Sequence, residues 1–103
     1  MNLDQYQEWT RTTAIYRDVT YPRLALAEEV GEFLGKIAKH CRDGGLAHPL
    51  MEDLKKEAGD IMWQLARVLD DYGISMQECV DMNVEKLESR KARNKLTGSG
   101  DDR

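Results

Sequence analysis

The chain has almost nothing of what staples, spans or coats. Its two cysteines, Cys41 and Cys79, stand far apart, with neither the close pairing of a redox motif nor the spacing of a metal site. They predict reduced thiols and a cytoplasmic setting. No apolar run approaches the roughly 20 residues that a membrane-crossing helix needs. The first residues also lack the pattern of a secretory signal, so no membrane association is expected. Positive charge is not in excess: 15 Lys and Arg stand against 19 Asp and Glu, a net charge of −4. That balance argues against a protein that coats a nucleic-acid polymer, whose signature is a basic footprint. It does not argue against a nucleotide, because a divalent cation can bring phosphates to acidic side chains. Strand-like alternation and repeats of solenoid period are absent too.

Helical periodicity is what remains. The two prolines, Pro22 and Pro49, both fall where a helix can begin, a position at which the missing N–H costs nothing. A first helix is predicted from about Asn2 to Thr13, with Leu3, Tyr6, Gln7 and Thr10 on one side. A second is predicted from Tyr21 to about Arg42, where Ala27, Val30, Leu34, Ile37, Ala38 and Cys41 recur at helical spacing. Gly44-Gly45 ends it, since glycine supplies the left-handed conformation of a helix C-terminus. The third runs from Pro49 to about Tyr72 on a stripe of Leu54, Ala58, Ile61, Leu65, Leu69 and Tyr72, and Gly73 stops it. Ser75 with Glu78 reads as a capping box opening a fourth helix, from Met76 to about Lys95.

The predicted fold is therefore all-α: a four-helix, bundle-like domain over residues 1–96, followed by a polar, glycine-rich tail, 97–103, expected to be mobile. A chain of 103 residues buries only part of its surface alone, so this one is expected to complete its core by oligomerisation.

The chemistry lies in the carboxylates. Residues three or four apart share a helix face, so Glu29 neighbours Glu32, and Glu57 neighbours Asp60. Both pairs border an apolar stripe: Glu29 adjoins Leu26 and Phe33, and Glu57 adjoins Leu54 and Ile61. A charge held half-buried at such a border is costly unless it is paired or bound to a metal. A hairpin folded about Gly44-Gly45 sets Glu32 level with Glu57, and Glu29 level with Asp60. Four carboxylates in one small volume repel, and a divalent cation removes the conflict. Magnesium takes oxygen ligands and keeps positions open for water or phosphate. The opposing expectation is a solvated acidic face in a chain that carries 19 acidic residues.

With those residues in hand, the sequence resembles the MazG-like all-alpha nucleoside triphosphate pyrophosphohydrolases. Glu28-Glu29-Val30-Gly31-Glu32 followed by Glu57-Ala58-Gly59-Asp60 is similar to that family's Glu-Glu-x-x-Glu and Glu-x-x-Asp. Asn83, Lys86, Leu87 and Arg90 resemble its Asn-x-x-Lys-Leu-x-x-Arg. Tyr6-Gln7 and Arg11-Thr12 look like the opening of short, single-domain members, and the likeness covers about residues 3–93. It implies magnesium, with manganese as a substitute, held by Glu29, Glu32, Glu57 and Asp60. It also implies hydrolysis of canonical or damaged (deoxy)nucleoside triphosphates as housecleaning, by a homodimer or homotetramer. Some relatives place an aromatic residue four positions after the motif's Asp; here Gln64 stands there, with Trp63 beside it.

In the mechanism so implied, a water attacks the α-phosphorus and pyrophosphate departs. Glu28, which shares a face with Glu32, is the candidate for orienting or deprotonating that water, or else serves a structural salt bridge. Asn83, Lys86 and Arg90 lie on one face of the fourth helix and are candidates to hold phosphate, although cations near a helix C-terminus are favoured in any protein. Lys39 faces either phosphate or solvent. Trp9, Tyr6 and Trp63 are candidates to stack on a base, against the commoner use of aromatics in core or interface. For Trp63 a subunit interface is expected, and His40 and His48 are expected to be solvent-facing loop residues. A di-iron bundle would need Glu-x-x-His, and no histidine follows any glutamate by three. The rival from another class is a non-enzymatic helical oligomerisation module with a solvated acidic face.

Overall fold

The computed structural model describes residues 1–45 and 49–103. His48 lies outside the described residues. Among the described residues four α-helices follow in order: α1 (Leu3–Thr10), α2 (Thr20–Arg42), α3 (Leu50–Asp71) and α4 (Met76–Ala92), with one 3-10 turn, Arg11–Thr13, after α1. No strand occurs among the described residues, and the fold is all-α as predicted. No helix among them is long and apolar enough to cross a membrane.

The helix ends follow from local chemistry. Asn2 caps α1 reciprocally: its Oδ1 accepts from the Gln5 amide at 2.8 Å, and its own amide donates to Gln5 Oε1 at 2.8 Å. Pro22 sits in the first turn of α2, fully buried, where no N–H partner was needed. Ser75 accepts from the Glu78 amide at 3.2 Å, the forward half of the predicted box, and donates to Asp4 Oδ1 at 2.8 Å.

Three helices close in the same way. In α3 the Gly73 amide reaches the Asp70 carbonyl at 3.0 Å and the Ile74 amide reaches Leu69 at 2.9 Å, with Gly73 at φ +69°. Gly44 and Gly45 repeat this pattern after α2, and Asn94, at φ +57°, repeats it after α4. The fourth helix therefore stops at Ala92, short of the predicted end, because Asn94 provides a left-handed cap. A Cβ at Gly73 would meet nothing within 4 Å, so a substitution there tests the backbone alone. Gly73→Ala is expected to cost about 1–2 kcal/mol, read as a lowered urea midpoint; an unchanged midpoint would contradict the capping role.

The α2–α3 hairpin is the body of the molecule, α1 lies across α3, and α4 is held chiefly by α1. Gln7 makes that last junction. Its Nε2 donates to the Ile74 carbonyl at 2.8 Å and its Oε1 accepts from the Met76 amide at 3.0 Å, so one buried amide pins the α3–α4 corner. Arg67 makes the α1–α3 junction. From a buried position it donates to Tyr16 Oη at 3.0 Å, Thr10 Oγ1 at 3.3 Å and Asp70 Oδ2 at 3.0 Å. Arg11 adds a forked pair to the same Asp70 carboxylate at 2.8 and 3.0 Å.

The α2 stripe departs from expectation. The side of α2 that is less exposed carries Ala25, Leu26, Glu29, Phe33, Ile37 and His40. Ala27, Val30, Leu34, Ala38 and Cys41, predicted to face the core, are exposed. The helix has two apolar sides, and periodicity alone merges them into one. Leu24 and Leu34 are 70% and 57% exposed, and Met62, Val80, Met82, Val84 and Leu87 are exposed as well. The radius of gyration, 17.0 Å, exceeds the value of about 13 Å for a compact domain of this length. The folded chain thus leaves wide apolar faces open.

Candidate functional site

Glu29 on α2 meets Glu57 and Asp60 on α3, each offering an oxygen within 4.8 Å of the others. The helices put them there for a simple reason. Glu29 lies on the side of α2 that carries Leu26 and Phe33, while Glu57 and Asp60 are one turn apart beside Ile61. Glu29 and Glu57 are half-buried and Asp60 is exposed, so the cluster opens to solvent on one side.

Its electrostatics are unfavourable as it stands. Burial, first, pushes the Glu29 carboxyl above its ordinary range; the Asp60 charge, a hydrogen bond shared with Glu57, and the charges of Glu57 and Glu32 push the same way. Glu57 Oε2 is buried with no hydrogen-bond partner. A buried carboxylate oxygen without a donor is costly, and a hard cation is the partner that such a set of oxygens fits. Tyr6 sits at the edge of the cluster: burial, and then the Asp60 charge, raise its hydroxyl pKa.

The other expected residues are placed elsewhere. Glu32 is outside the three-carboxylate group, although its charge reaches Glu29. One helical turn on from Glu29, it is rotated toward the exposed side of α2. There it lines a shallow groove with Glu28, Lys39, Gly31, Gly35 and Lys36. Asn83 and Lys86 line a separate groove on α4 with Asp101, and Arg90, one turn on from Lys86, is buried under the same tail. α4 packs chiefly on α1, and the ion pairs of Lys86 and Arg90 run to Asp101 rather than to the carboxylate group.

Trp9 is half-exposed and stacked on Tyr6, centroids 6.1 Å apart. Within the chain, Trp63 Nε1 donates to Thr13 Oγ1 at 2.7 Å and its ring meets Tyr16 edge-on at 6.3 Å. His40 departs from expectation. It is half-buried against Gly45, where an added Cβ would come within 3.2 Å of its Nε2, so it packs under the turn rather than facing solvent.

Reading for acidic pairs missed the Arg67 junction and the Gln7 clamp. For Arg67 the signal is a second, polar stripe on α3: Asp60, Gln64, Arg67 and Asp71 recur at helical spacing.

Residues 20–94 match the MazG nucleotide pyrophosphohydrolase domain, and the chain belongs to that family. Over its whole length it is 33% identical to the Gene 37 protein of Mycobacterium phage L5, and the match covers all of that protein too. No solved structure matches it. The matched span contains the three clustered carboxylates together with Glu28, Glu32, Asn83, Lys86 and Arg90.

Proposed function

We propose that the chain is a magnesium-dependent nucleoside triphosphate pyrophosphohydrolase that converts a (deoxy)nucleoside triphosphate and water into the monophosphate and pyrophosphate. In this reading residues 1–96 are one catalytic domain that clears unwanted nucleotides from the cytoplasmic pool. The observation that carries it is the trio Glu29, Glu57 and Asp60, with an orphaned buried oxygen on Glu57, inside the span that matches the family.

Those three side chains would hold the ion, with Glu32, one turn along α2 and already felt by Glu29, as a fourth ligand. Bound magnesium, or manganese in its place, supplies charge neutralisation and orientation of the phosphates. The chain's own residues do the rest. Glu28 or Glu32 takes the proton of a water as its oxygen forms a bond to the α-phosphorus, and the α–β bridging bond breaks to release pyrophosphate. Asn83, Lys86, Arg90 and Lys39 bind phosphate oxygens, and Trp9 stacks on the base. The cations of α4 lie apart from the carboxylates within one protomer, and the exposed apolar side of α2 favours a homodimer or homotetramer in which another copy supplies them.

The test is pyrophosphate release from a panel of canonical and damaged nucleotides, with and without magnesium, paired with thermal melting of metal-stripped protein. Release is expected only with the ion, and magnesium at a hundredfold excess over its Kd is expected to stabilise the fold by about 2.7 kcal/mol. Melting indifferent to millimolar magnesium, with no pyrophosphate from any nucleotide, would leave the non-enzymatic helical module as the correct description.

A further inference from the structure

Residues 97–103 fold back along the last turns of α4. The Asp101 carboxylate lies 3.2 Å from Lys86 Nζ and 3.6 Å from Arg90 Nη2. Arg90 Nη2 also donates to the carbonyls of Gly100, at 3.3 Å, and Asp101. Arg93 Nη2 reaches the Arg103 carbonyl at 2.8 Å. The Arg103 guanidinium returns to the carbonyls of Leu96 at 3.1 Å and Gly100 at 2.6 Å, closing the loop on itself. Gly98 makes the reversal possible: its φ is +128°, and a Cβ there would lie 3.2 Å from Arg103 Cδ. The hydrogen bond from Lys86, and then the charges of Lys86 and Arg90, hold the Asp101 carboxyl below its usual range.

Arg90 is the telling residue. It is only 4% exposed, yet its Nε is buried without a partner. A guanidinium offers five donors in a planar fork, suited to a tetrahedral or planar oxyanion that can take two of them at once. The tail's carbonyls engage one corner of that fork and leave Nε idle, so Asp101 fills the cradle incompletely. A carboxylate with two backbone carbonyls is a poor copy of a phosphate.

We propose that residues 97–103 form an intramolecular latch, in which Asp101 occupies the Lys86–Arg90 cradle and must withdraw before the phosphates of a nucleoside triphosphate can enter it. The latch rests on the phosphate-binding role given above to Lys86 and Arg90, and it adds regulation of that site by the chain's own tail. A closed tail lowers the fraction of molecules competent to bind, and apparent affinity falls by that fraction.

The test uses full-length protein and two substitutions outside the proposed machinery. Asp101→Asn removes the competing charge. Gly98→Ala keeps every charge but obstructs the turn. Binding of inorganic tripolyphosphate without metal, measured by calorimetry, is expected to tighten about three- to tenfold in both variants, as release of a mostly closed state requires. The KM for a nucleotide substrate is expected to fall by the same factor with kcat unchanged. Tripolyphosphate binding that is lost on adding Lys86→Ala but is equal in wild type and both tail variants would overturn the latch alone. Binding that ignores Lys86→Ala in the Asp101→Asn background would overturn both the latch and the phosphate role on which it rests.

Discussion

Glu57→Gln is expected to lower magnesium-dependent pyrophosphate release by about a hundred- to a thousandfold, and at the same time to raise the melting temperature of the metal-free protein. The two effects have one cause. In the absence of an ion, three carboxylates within 4.8 Å repel one another, and the buried Glu57 Oε2 has no donor to meet it. An amide there carries no charge and can donate to Glu29, so the metal-free fold gains. The same change removes an anionic ligand, so affinity for a dication drops and the stabilisation by magnesium shrinks with it. The pH dependence follows from the raised pKa of Glu29, which is due first to burial and then to Asp60. A carboxyl whose folded pKa is raised contributes stability below the ordinary carboxylate range and loses it as pH rises through the folded value. Metal-free wild type should therefore lose stability over that rise, and magnesium should flatten the loss. A variant that melts no higher than wild type without metal, or that keeps near-normal turnover, would remove Glu57 from the site.

Much of this was legible in the sequence because helices are local objects. Pro22, Pro49, Gly44, Gly73 and Ser75 mark helix ends through backbone chemistry that needs no knowledge of the fold. The pairing of Glu57 with Asp60 is equally local, one turn of one helix. Which partner each pair meets is set across the hairpin, where side-chain rotation decides. Glu29 points between the helices, and Glu32, about 60° further round, does not join it. The α2 stripe differs from expectation for a related reason. Val30 and Leu34 are as apolar as Leu26 and Phe33, and a single helix cannot say which of two apolar sides meets its own hairpin. The Lys86–Asp101 contact was beyond sequence reasoning, because a glycine-rich segment carries no periodicity to say where it lands.

Arg67→Ala is expected to be the most destabilising single change, at about 3–5 kcal/mol, a large part of the stability of a small domain. The Arg67 side chain is 8% exposed and ties α3 to Asp70, to Thr10 at the end of α1 and to Tyr16 beyond the 3-10 turn. Removal leaves the Asp70 carboxylate, itself only 16% exposed, with Arg11 alone, and leaves the buried Thr10 hydroxyl without that donor. Asp70 carries the pH signature of this junction. The hydrogen bond from Arg11, and then that from Arg67, depress its pKa against an opposing effect of burial. A depressed carboxyl contributes stability above its unfolded pKa and loses it as pH falls through the folded one, so the acid limb of wild type should be shallower in the variant. Replacing the pair together, Arg67→Met with Asp70→Leu, should recover much of the loss, because matched apolar groups leave no orphaned charge behind. The consequence for the site passes through α1, which carries Tyr6 to the edge of the carboxylate group. Loosening α1 should weaken magnesium-dependent turnover even in the fraction that stays folded. Denaturation midpoints equal in wild type and Arg67→Ala would show that α1 is held on α3 by something other than this buried cation.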